Sequence, residues 1–135
     1  SQVRRFDHVG VTVADLEVVT AFFVALGLEV EGRTFVEGEF VDTVCGIAGS
    51  RTEVVMLKPP GGGTRLELSS FVRPGSVPGS PAAMANELGL RNVAIEIKGL
   101  QAPVDGQLPR TTRRGSAAPI ARPAVKAHSS APAAS

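Results

Sequence analysis

Cysteine and histidine are scarce in this 135-residue chain: one of the first, Cys45, and two of the second, His8 and His128. A single cysteine excludes an intrachain disulfide. Tryptophan and tyrosine are absent, so six phenylalanines, all before residue 99, are the whole aromatic inventory. No apolar run reaches the roughly 18 residues of a membrane span or follows a basic stretch as in a secretory leader, and the expectation is a soluble, cytoplasmic protein without a membrane partner. The chain also lacks a large charge excess, its formal net charge being +1. That value is the sum of two unlike segments. Residues 1–98 hold 12 of the 13 acids and nine of the 14 basic residues, whereas residues 99–135 hold one acid, Asp105, five basic residues and half of the ten prolines. Neither nucleic acid nor membrane binding is therefore expected of the folded part.

At this length one domain with its own core is expected. From Phe6 to Val13 the chain alternates, with Val9, Val11 and Val13 on one face and Phe6, His8, Gly10 and Thr12 on the other, which predicts a strand with one oily face. Asp15 stands at a helix N-cap position, Leu16, Val19, Phe23 and Leu26 recur at helical spacing, and Gly27 supplies the stop. A second strand follows over residues 28–36, and "FVDTVCGI" suits a short helix in which Cys45 is expected as a small buried apolar residue. "RTEVVMLK" is a third strand, and "PPGGGTRLELSSF" a turn entering a fourth. The run Gly61–Gly63 is a turn and not a phosphate loop, because no Lys-Ser/Thr pair follows and a strand comes next.

Residues 72–89 are expected to be a linker with a short helix in "AAMANELG", and "LRNVAIEI" is a further alternating strand. Past Lys98 the period stops. The segment 101–135 is rich in Pro, Ala and Arg, a composition that predicts disorder or loose attachment, and His128 within it is given no role. The abrupt change near codon 102 is what a reading-frame shift in a GC-rich gene would produce, the alternative being natural divergence or an unfamiliar C-terminal element.

Strand phase sharpens the chemistry. In the fourth strand Leu66 and Leu68 alternate with Arg65, Glu67 and Ser69; in the fifth, Val93, Ile95 and Ile97 alternate with Asn92, Ala94 and Glu96. His8, Glu67 and Asn92 thus all fall on faces opposite the apolar ones. Imidazole and carboxylate suit Zn, Ni, Fe or Mn. On phase alone two readings stand: a histidine in a strand serves more often as hydrogen-bonded structure than as a ligand, and Glu67 beside Arg65 is equally an exposed charge.

The segments "FDHVGVTVADLEVVTAFFVALGLEVEG", "GGTRLELSSF" and "ELGLRNVAIEI", in this order, resemble the glyoxalase, bleomycin-resistance and extradiol-dioxygenase superfamily, the vicinal oxygen chelate fold, over about residues 4–100. The resemblance implies an α+β fold of paired βαβββ modules whose sheets wrap a cup, with metal ligands pointing in from the first and fourth strands of each. His8 and Glu67 match the two ligand positions of the first module, and Asn92 stands where the second module carries His or Gln. The expected organisation is a first module over 1–71, a linker and short helix over 72–89, the first strand of an incomplete second module over 90–100, and the tail. The expected activity is that of a small-molecule lyase, isomerase or epimerase with a divalent metal as Lewis acid. A dioxygenase is less favoured, since its iron takes two histidines. No catalytic base is assigned: Glu96 lies on the right face but not at the family's position. The alternative is a protein that sequesters an antibiotic or other small ligand without turning it over. A half-cup also implies a homodimer, in which a second copy brings the missing strands and ligands.

Overall fold

A computed structural model describes residues 1–90, 92–98 and 124–129. It divides into two units, Ser1–Val77 and Pro78–Ser135.

In the first unit the alternation of the N-terminal segment becomes β1 (His8–Thr12), with Val9 and Val11 half-buried and His8, Gly10 and Thr12 exposed. Val13, just beyond, is buried. The helix α1 (Leu16–Ala25) begins where Asp15 accepts a hydrogen bond from the Val18 amide at 3.0 Å, satisfying one of the donors that a helix start leaves free. Its apolar stripe buries Leu16 and Phe23 and packs against β4. β2 (Glu29–Glu37), α2 (Glu39–Cys45), β3 (Arg51–Lys58) and β4 (Arg65–Arg73) complete a four-stranded sheet in the order β1-β4-β3-β2. β1 runs parallel to β4 while β3 is antiparallel to both its neighbours.

The core lies where β3 and β4 meet under α1. Leu57 opposes Leu66 and Val55 opposes Leu68 across the ladder, and all four are buried, Leu57 and Leu68 completely. Central strands with neighbours on both sides carry the continuous apolar content, and the edge strand β2 is exposed along nearly its whole length. Arg33 of β2 ties that edge down by hydrogen-bonding Glu17 of α1 and Glu53 of β3.

Three expectations change. Cys45 is exposed, not buried: it ends a seven-residue helix with no buried residue, and the chain leaves through Gly46 at φ 71°, a conformation that favours glycine. "AAMANELG" does not form a helix. Isolated turns, closed by the Ala83 amide on the Ser80 carbonyl and the Glu87 amide on the Met84 carbonyl, take its place. So short a helix needs a face to pack, and Met84 and Leu88 are 70% and 94% exposed. The tail is not without structure either: β6 (Ala124–Ser129) pairs in parallel with β5 (Asn92–Ile97) as the two-stranded sheet of the second unit. The rest of the tail, 101–123 and 130–135, lies outside the described residues. Among the described residues no helix is long and apolar enough to cross a membrane.

Candidate functional site

Because β1 and β4 are parallel neighbours, opposed residues share a face: His8 lies opposite Arg65, Gly10 opposite Glu67 and Thr12 opposite Ser69. The valines and leucines between them turn to the core, which leaves this polar row on the open face. His8 reaches diagonally to Glu67, its Nε2 3.6 Å from Oε2. Gly10 leaves the flank of the carboxylate open, since a Cβ there would lie 3.8 Å from Glu67 Oε1. One step along the sheet, the Thr12 and Ser69 hydroxyls are 3.4 Å apart.

The other ring nitrogen is also engaged. His8 Nδ1 lies 2.8 Å from Asp7 Oδ2. The same carboxylate accepts hydrogen bonds from Arg5, at 3.0 Å, and from Arg65, while the second arm of the Arg65 guanidinium reaches Glu31 at 2.9 Å. The hydrogen bonds from His8 and Arg65 hold the Asp7 carboxyl below the usual aspartate range. Those to Glu31 and Asp7 push Arg65 up. Glu31 projects from the bulge between Val30 and Gly32 of β2, so the chain of polar contacts Glu31–Arg65–Asp7–His8–Glu67 crosses the sheet from one edge to the other.

Asp7 and Arg65 carry no role in the sequence reading. Strict alternation puts residue 7 on the face opposite His8, but Asp7 stands just before the first residue of β1, and while its backbone carbonyl accepts from the Arg65 amide, its carboxylate turns to the His8 ring. The adjacent acid in "FDH" is the only local signal of this. Asn92, the third expected ligand, is an exposed residue at the start of β5 and belongs to the second unit. The pair His8–Glu67 lies wholly within the first.

Beside this chain a cavity of about 290 Å³ is lined by Arg5, Phe6, Asp7, Gly63, Thr64 and Arg65. The turn after β3, closed by the Gly62 amide on the Pro59 carbonyl, brings Gly63 and Thr64 to its wall.

A glyoxalase family protein from Bacillus cereus, solved by crystallography, matches with a TM-score of 0.69 and 32% identity, over 79% of this chain and 69% of that one. The chain belongs to the glyoxalase family. No protein-family model and no curated protein matches it. The α+β fold expected from the sequence is the fold found, and the parallel β1–β4 pair of this glyoxalase-family sheet carries the His8–Glu67 pair.

As a donor set the pair suits a divalent cation in part. Two donors each about 2.1 Å from a shared cation sit roughly 3.0–3.6 Å apart for angles between 90° and 120°, and the observed 3.6 Å falls at the wide end of that range. A ring whose far nitrogen rests on a carboxylate is the usual setting of a ligating histidine. Among the described residues, however, no group of three His, Cys, Asp or Glu side chains gathers at one point. Two donors are fewer than the four that a tetrahedral cation site takes.

Proposed function

We propose that the chain is a glyoxalase-like protein acting on a small molecule, with His8 and Glu67 holding a divalent cation. The observation that carries this reading is the 3.6 Å approach of His8 Nε2 to Glu67 Oε2, with Nδ1 already occupied by Asp7. When bound, such a cation supplies Lewis acidity, polarising a substrate oxygen and stabilising the anion formed by loss of a neighbouring proton. The chain's own residues do the rest. Thr12 and Ser69 offer hydroxyl donors beside the pair, and Phe6, 76% exposed, offers an apolar surface at the adjoining cavity. The reaction class this supports is a lyase, isomerase or epimerase step.

Two donors leave the coordination shell short, and we extend the proposal to a homodimer in which two His8–Glu67 pairs meet around one cation. Asn92 stays a candidate ligand on the family resemblance alone. Metal carried by the protein purified without chelator, counted by plasma mass spectrometry, is the test. Wild type should take up Ni, Zn, Co or Mn, at one cation per two chains if the site is shared, and His8→Ala and Glu67→Gln should not. Equal metal in all three contradicts the site. A monomer by light scattering that still binds one cation per chain contradicts the sharing. An Asn92→Ala variant with unchanged metal removes Asn92 from the ligand set.

The second reading, a sequestering protein without catalysis, is favoured by the same shortage of donors together with the 290 Å³ cavity, close to the lower end for small-molecule pockets. It predicts ligand binding that is indifferent to metal.

A further inference from the structure

A neutral histidine can present only one lone pair, and which nitrogen presents it is set by what the other nitrogen bonds. Carboxylates only accept, so the 2.8 Å contact between Nδ1 and Asp7 Oδ2 requires the proton on Nδ1 and leaves the lone pair on Nε2, the atom that faces Glu67. Free imidazole side chains in water favour the opposite tautomer. Asp7 is itself held: Arg65 donates to the same Oδ2, Arg5 donates to Oδ1, and Glu31 fixes the far arm of Arg65.

The clamp on Arg65 has a second effect. Arg65 and Glu67 are two residues apart on one face of β4, about 6.6 Å along the strand, within reach of an arginine side chain. Arg65 nevertheless bonds Asp7 and Glu31, and among the described residues no Lys or Arg pairs with Glu67, whose Oε2 lies 3.6 Å from His8 Nε2. A carboxylate paired to a guanidinium has its acceptor sites occupied; Glu67 does not.

We infer that Asp7, held by Arg65, is a positioning residue that sets the His8 ring with Nδ1 protonated and the Nε2 lone pair turned to Glu67. The inference rests on the reading of His8 and Glu67 as ligands for its purpose, but not for its test. Long-range proton–nitrogen NMR on the metal-free full chain, at a pH where the ring is neutral, reports the tautomer directly. His128, the other histidine, is assigned by a His128→Gln variant.

In wild type, His8 should show a pyrrole-type Nδ1 and a pyridine-type Nε2. Asp7→Ala should reverse the two, and Asp7→Asn, which keeps an acceptor oxygen, should retain the wild-type signature and so separate loss of the acceptor from loss of the fold. Zinc affinity should fall by about 10–100-fold in Asp7→Ala, the usual cost of losing such a partner. A wild-type ring protonated on Nε2, or an Asp7→Ala ring unchanged from wild type, overturns the inference. Correct tautomers in a protein that takes up no metal sustain it while defeating the proposed function.

Discussion

β1 and β5 look alike on paper. "HVGVT" and "NVAIEI" both alternate, each with a polar residue first and apolar residues on one phase, yet they meet different fates. β1 joins a four-stranded sheet backed by α1, and its phase continues into the buried Val13. Among the described residues β5 pairs with β6 alone, and Val93, Ile95 and Ile97 are half-buried, none of them fully. Alternation states which face is oily, not whether a second layer exists to cover it. A two-stranded sheet alone is marginal in water, while the first unit has a helix and two central strands to close its core.

The predictions probe that contrast. Leu68→Ala, at a fully buried position in β4, should cost about 2–5 kcal/mol in urea unfolding, the usual range for a buried leucine. Next comes Asp15→Ala, which removes the N-cap of α1 and should cost about 1 kcal/mol. Asp42 fixes the loop into β3 by accepting from the Gly49 amide and from the Ser50 amide and hydroxyl. The bonds from Gly49 and Ser50 lower its folded-state pKa, so the native protein holds that proton less tightly than the unfolded chain. The stabilisation is then complete above the ordinary aspartate range and vanishes as pH falls through the lower folded value. Asp42→Asn should lower the melting temperature clearly at neutral pH and progressively less as the pH falls below the ordinary aspartate range; an equal loss throughout would mean the carboxylate's charge is irrelevant.

The smallest effects belong to the second unit. Ile95→Ala should cost about 1 kcal/mol or less, as expected of a half-buried site. Truncation after Leu100, which removes β6, should shift the melting of the first unit by less than about 4 °C, corresponding to under about 1 kcal/mol. A shift beyond that would give the second unit a structural weight equal to the first and erase the contrast.

What the sequence revealed divides along the same line. Where two signals coincided, as Asp15 and Gly27 do around the Leu16–Phe23 period, or alternation and β-branched content in Arg51–Lys58, element and boundary were legible. Cys45 was misread because burial of a lone cysteine depends on what its helix packs against, and α2 buries nothing. "AAMANELG" has helical propensity, but its large apolar side chains Met84 and Leu88 stay exposed. "AVKAHS" in β6 was hidden in a background of Ala, Pro and Arg, although its pairing in the structure is as regular as that of β1. At the candidate site, phase sufficed to put His8 and Glu67 on one face. Asp7 and Arg65 were not legible as members, because their roles depend on a carboxylate turning to its neighbour's ring and on a long side chain crossing to the bulge at Glu31, and neither is written in period two.

The central claim is that His8 and Glu67 act as one donor pair, and a double-mutant cycle on nickel(II) affinity tests it most directly. If both hold the same cation, His8→Ala and Glu67→Gln each abolish most of the affinity, and the double variant loses little more than either alone, so that the two changes are strongly non-additive. Losses that simply add, or a wild type no tighter than the double variant, would contradict the account.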